Sequence, residues 1–111
     1  MELPNKINAI VPIAKITDYL LSEFHAIGKS KAKFFRSVGF HDDNTGEFQQ
    51  SLIRLAQIGA VTDSTETAYG KKYVVDGELE TPNGDMIRLR TVWIIETGES
   101  APRLVTAHPL D

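Results

Sequence analysis

The spacing of apolar residues changes once along this chain, and the change falls at Gly70. Before that point apolar side chains recur every three or four residues, as on one face of a helix. After it they alternate, as on a strand with one buried face. At 111 residues and 41% hydrophobic, the chain holds enough for one core, so residues 1–111 read as a single domain. Helices followed by a strand meander predict an α+β fold. About three N-terminal helices pack on one face of an antiparallel sheet of three to four strands.

The individual elements follow from local chemistry. Residues 1–12 carry two prolines and the short run Ala9-Ile10-Val11, an extended lead-in able to pair with a sheet edge. Ile13, Ile16, Tyr19 and Leu20 lie on one face of a helix that ends near Ser22. Gly28 interrupts, and Lys29 to Val38 forms a second, basic helix with Ala32, Phe35 and Val38 inward and Gly39 as its stop. Asn44 or Thr45 caps a third helix, with Glu47 near the capping-box position and Phe48, Leu52, Leu55 and Ala56 as its apolar stripe up to Gly59. Residues 61–67 fit either an exposed edge strand or a loop. Residues 71–80 read as a strand with Tyr73, Val75 and Leu79 on one face, and Thr81-Pro82-Asn83-Gly84 as a turn in which Asn-Gly supplies positive φ angles. Met86 to about Thr97 is the partner strand, and Arg103 to Ala107 a last one.

The absence of cysteine excludes disulfides, thiolate catalysis and Cys-based zinc sites. No basic leader with a long apolar run opens the chain, and no apolar stretch nears the roughly 20 residues that span a bilayer, so it reads as soluble and cytoplasmic, without a membrane partner. No phosphate-loop, dinucleotide, zinc-protease or serine-elbow motif is present. His25, His41 and His108 lack metal-ligand spacing, and no cofactor or metal is implied.

The net charge of −3 is unevenly distributed. Residues 1–40 sum to +3, residues 41–70 to −4 and residues 71–111 to −2. The acidic total excludes a surface that grips phosphates all over, but leaves room for a local anion site. That site falls at His25 and the run from Lys29 to Arg36, where Lys29, Lys31, Lys33 and Arg36 flank two phenylalanines. A helix start followed by cations suits phosphate; the plain alternative is a solvated helix face.

Several segments together carry a family resemblance: Tyr19-Leu20-Leu21, His25, Gly28-Lys29, Lys31-Ala32, Phe34-Phe35, Gly39-Phe40, Tyr69-Gly70, Lys72-Tyr73, the 81–84 turn, Thr91-Val92-Trp93, and Pro102 through Pro109. The chain resembles, over nearly its whole length, a bacterial family of domains of unknown function. Its members occur as small stand-alone proteins and at the C-termini of filamentous-haemagglutinin-like and other polymorphic toxins. A second similarity is to the barnase, EndoU, colicin and RelE grouping of small metal-independent ribonucleases. Several toxin members of that grouping end in a strand reading V-T-A-Y-P, where this chain has Val105-Thr106-Ala107-His108-Pro109.

That second resemblance implies His25 as acid or base, Lys29 or Lys31 as phosphate ligand, Arg90 and Arg103 as charge stabilisers and Thr106 as oxyanion donor. Each residue also has an ordinary structural role open to it, and Trp93 reads as core. Three functions stay open at this stage. One is a ribonuclease-like domain that binds RNA or another anionic ligand. The others are a non-catalytic binding or regulatory module, and an antitoxin or immunity protein whose acidic 41–70 region covers a basic protein partner.

Overall fold

The computed structural model describes residues 1–25 and 29–110, so the helix break assigned to Gly28 lies outside the described residues. A short α-turn, α1 (Ile13–Lys15), runs directly into a π-helical turn (Ile16–Leu20), followed by α2 (Lys29–Ser37) and α3 (Thr45–Ile58). Four strands complete the chain: β1 (Ala60–Thr67), β2 (Gly70–Glu80), β3 (Met86–Glu96) and β4 (Arg103–Pro109). They form one antiparallel meander in the order β1-β2-β3-β4. The expected α+β architecture is the one found.

One face of the sheet is packed and the other is open. Tyr73, Val75 and Leu79 of β2, Leu89, Thr91 and Trp93 of β3, and Leu104 and Ala107 of β4 are buried against Phe48, Leu52, Leu55 and Ala56 of α3 and Phe35 of α2. Gly77 belongs to the same face: a Cβ there would stand 3.1 Å from Leu55 Cγ, so its missing side chain lets α3 settle on β2. Phe40 stacks on Phe48 with ring centroids 4.1 Å apart. Trp93, fully buried, donates its Nε1–H to Thr91 Oγ1 at 2.7 Å, and that hydroxyl donates to the Val75 carbonyl at 2.8 Å. The polar tip of the largest core side chain is thereby satisfied.

Four local expectations are refined. The first helix is widened rather than regular: Leu21 N–H reaches back five residues to the Ile16 carbonyl. The wider turn shifts the helical phase, so Ile16, Leu20 and Leu21 are buried while Ile13, expected on the same face, is 48% exposed. Asn44 stands at the start of α3 but does not cap it with its side chain. Its Oδ1 instead accepts from His41 N–H and its Nδ2 donates to the Gly39 carbonyl, bracing the 39–44 loop. Residues 61–67 lie in strand β1, a mostly exposed edge. In the hairpin turn only Gly84 has positive φ, +87°, after a Thr81–Gly84 turn closed by Gly84 N–H to the Thr81 carbonyl. Pro82 and Asn83 thus occupy the middle of an ordinary turn and Gly84 closes it.

The extended lead-in pairs with the sheet edge as its composition suggests. Ile10 N–H donates to the Pro102 carbonyl and Leu104 N–H to the Ile10 carbonyl, a parallel bridge beside the start of β4. This anchors the first helical turns at the β4 edge, which sets the site described next.

Candidate functional site

The register of β2, β3 and β4 sorts the open face into rows. Asp76, Arg90 and His108 form one row; Val74, Val92 and Thr106 the next; Lys72, Ile94 and Arg103 the one after. Successive rows stand about 6.6 Å apart, two residues of strand rise. This arrangement depends on a β-bulge. Val92 and Trp93 pair with Thr106 and Leu104, which leaves Val105 as an extra residue in β4. Strict alternation would put Arg103 on the opposite face from Thr106 and His108. The bulge instead gathers all three on the open face and keeps Leu104 and Ala107 in the core.

The first row is electrostatically organised. Arg90 Nε and Nη2 donate to the two carboxylate oxygens of Asp76 at 2.9 and 2.8 Å, a two-point fork across the strands. The fork holds the Asp76 carboxyl below its ordinary range, with Arg88 and His108 adding smaller effects. Burial lowers the pKa of His108, and the cations Lys31 and Arg90 push it further down against a smaller opposing effect of Asp76. The imidazole is accordingly neutral at pH 7 and able to take a proton.

The second row leads to the helical layer. Thr106 Oγ1 shares a 3.1 Å hydrogen bond with Tyr19 Oη, and the Tyr19 ring meets His25 edge-on with centroids 4.9 Å apart. Lys15 Nζ lies 5.4 Å from the centre of the same ring. Pro12, Lys15, Asp18, Tyr19, His25 and Thr106 line one shallow cleft between the first helical turns and β4. The π-helical turn supplies Tyr19 to this cleft while keeping Ile16 and Leu20 in the core. His25 is tied to α2, since its carbonyl accepts the Lys29 N–H at 3.0 Å.

The candidates from the sequence therefore fall into separate places. His25 and Thr106 are brought together through Tyr19, and Arg90 stands in the adjoining row beside His108. Lys31 is near enough to His108 to bear on its protonation. Lys29 is exposed at the start of α2 and joins the site through its backbone. Arg103 lies two rows, about 13 Å, from His108, with its Nε 3.9 Å from Glu96. Sequence reasoning passed over Tyr19, which reads as one more apolar-face residue. It also missed His108 as a site residue and Asp76 as the partner that orients Arg90.

Chemically, the open face offers a histidine, an oriented guanidinium and a hydroxyl with an ammonium nearby, and the adjoining cleft holds a second histidine. Those are the parts for binding a phosphodiester and moving protons at its oxygens. Among the described residues no group of three or more His, Cys, Asp or Glu side chains gathers closely enough to hold a metal ion. No helix among them is long and apolar enough to cross a membrane.

The sequence profile of a domain of unknown function (DUF6883) matches residues 2–111. Comparison with curated proteins gives no match. Among solved structures, the chain is similar to one described as a contact-dependent growth inhibition toxin–immunity protein complex from Klebsiella pneumoniae 342. The two superpose with a TM-score of 0.73 over 96% of this chain and 97% of that chain, at 16% sequence identity. At that identity the likeness is one of fold.

Proposed function

The chain belongs to the DUF6883 family of domains of unknown function, and from its open-face geometry we propose that it is a toxin-related, metal-independent ribonuclease-like domain. The observation that carries this reading is the β3–β4 register, which sets His108 directly beside Arg90 with Thr106 in the next row on the same face. A chain of the toxin–immunity complex has the same fold, which supports a toxin-related lineage.

In this reading RNA lies with a phosphodiester over Thr106 and Arg90. The neutral imidazole of His108 takes the proton of the ribose 2′-hydroxyl as that oxygen attacks phosphorus. The bond from phosphorus to the 5′-oxygen breaks, and His25 acts as the acid that gives a proton to the leaving oxygen. The products are a 2′,3′-cyclic phosphate and a 5′-hydroxyl. Arg90, held by Asp76, and Lys31 stabilise charge on the non-bridging oxygens, and the Thr106 hydroxyl donates to one of them.

The test is incubation of the purified protein with total RNA in excess chelator. Cleavage that leaves cyclic phosphate ends is expected, with His108→Ala and His25→Ala each slowed about 100-fold or more. No cleavage by the wild type, or cleavage by both variants at the wild-type rate, overturns the reading.

A second reading, a non-catalytic module that covers a basic protein, is favoured by the exposed acids Asp42, Asp43, Glu47, Asp63 and Glu66. Co-purification with a basic nuclease, lost when these five are neutralised, would select it over the first.

A further inference from the structure

Resting on the ribonuclease reading, we infer that the open face carries a second phosphate subsite at Lys72 and Arg103, so the substrate is single-stranded RNA longer than a dinucleotide. Lys72 and Arg103 flank Ile94 directly in the register, one from each neighbouring strand. Both point away from the core, since their neighbours Tyr73 and Leu104 are buried on the other side. Arg103 retains 41% of its side-chain exposure, and its Glu96 contact is long, at 3.9 Å between two solvated groups. An incoming phosphate displaces such a pair at little cost.

Between this row and the one holding Arg90 and His108 lies Val74 beside Val92, both half-buried. Cations therefore stand on either side of this apolar pair, and the two charged rows are about 13 Å apart along β3. An extended polynucleotide running along β3 sets one phosphate at Arg90 and a later one at Lys72 and Arg103, with a base laid on Val74, Val92 and Ile94. Only an unpaired base can lie flat on that strip, which selects single strands over duplex. Arg103 is thus a binding residue for a remote phosphate and not a stabiliser of the reacting one.

The experiment measures binding by fluorescence anisotropy of 2′-O-methyl oligonucleotides, which lack the nucleophile, at lengths of two and five nucleotides. The dimer has a single internucleotide phosphate and cannot reach both rows. The wild type is expected to bind the pentamer at least tenfold more tightly than the dimer. Lys72→Gln/Arg103→Gln should erase that advantage, leave dimer affinity in place, and flatten the salt dependence of pentamer binding by about 0.7 in log–log slope per lost phosphate contact. Arg103→Gln alone, with a thermal melt matching the wild type, gives a partial effect and guards against misfolding. The inference fails if the double variant binds the pentamer as tightly as the wild type, if dimer binding falls equally, or if the wild type ignores length. Cleavage of total RNA by the wild type with any of those outcomes removes the second subsite and leaves the ribonuclease reading standing. Absence of both binding and cleavage removes both.

Discussion

Arg90 and Asp76 face one another across β3 and β2 and meet in a two-point ion pair at 2.9 and 2.8 Å. The pair sits on the open face in the same row as His108, so the carboxylate that fixes the guanidinium also enters the charge balance of the imidazole. Asp76 is the more buried partner, with 16% of its side chain exposed against 41% for Arg90. Solvent therefore screens the Arg90 end, and orientation is its main contribution.

Replacing Asp76 by Asn keeps the shape and removes the charge. A loss of about 1 kcal/mol is expected in urea denaturation at pH 7, the upper end for a partly exposed pair. The pH dependence follows from the direction of the Asp76 shift. Its folded carboxyl titrates below the unfolded one, so its stabilisation is complete above the unfolded value of 3.8 and is lost as pH falls through the folded value. The difference between wild type and Asp76→Asn should accordingly be constant above about pH 5 and shrink below pH 4.

His108 contributes a pH dependence of the same sign at a higher pH. Burial and the cations Lys31 and Arg90 lower its pKa from 6.5, so between the folded value and 6.5 the unfolded chain binds more protons than the folded one. Stability then rises with pH through that window and levels off above it; acidification costs stability. Thermal melts from pH 7.5 to pH 5.5 should drop further for the wild type than for His108→Gln. Parallel curves would show that His108 does not carry the effect.

Tyr19 and Thr106 are coupled by the 3.1 Å hydrogen bond between their hydroxyls. Tyr19→Phe and Thr106→Val should each cost about 0.5–1.5 kcal/mol, with the double variant losing clearly less than the sum. Additive losses would mean that the bond contributes nothing. In the ribonuclease assay, Tyr19→Phe should lower turnover more than RNA affinity, because Tyr19 orients Thr106 and contacts His25 without reaching the substrate itself.

The change of period at Gly70 makes the α+β order legible, and the burial of Phe35, Phe48, Leu52, Val75 and Trp93 follows from the apolar spacing. The site was less legible because it depends on two departures from regular period. The π-helical turn at Ile16–Leu20 moves Tyr19 to the cleft. The bulge at Val105 moves Arg103 to the face of Thr106 and His108. Neither leaves a mark in composition, since an alternating reading of β4 remains self-consistent with Arg103, Val105 and Ala107 on one side. Asp76 and Arg90 are 14 residues apart in sequence, and only the hairpin register makes them partners.

Thr91 offers a test of the packed face. Its hydroxyl, fully buried, accepts from Trp93 Nε1 and donates to the Val75 carbonyl, so one side chain satisfies two buried groups. Thr91→Val preserves the shape and the β-branched preference for a strand, yet leaves the indole N–H without its acceptor. A loss of about 1–3 kcal/mol is expected, the cost of a buried donor left unpaired. Thr91→Ser keeps the hydroxyl and removes one methyl group, for a loss of about 1 kcal/mol from the vacated volume. Urea midpoints for the two variants separate these causes. Valine is expected to lie below serine although it buries more apolar surface; the reverse order would show that packing and not the hydrogen-bond relay holds Trp93 in place.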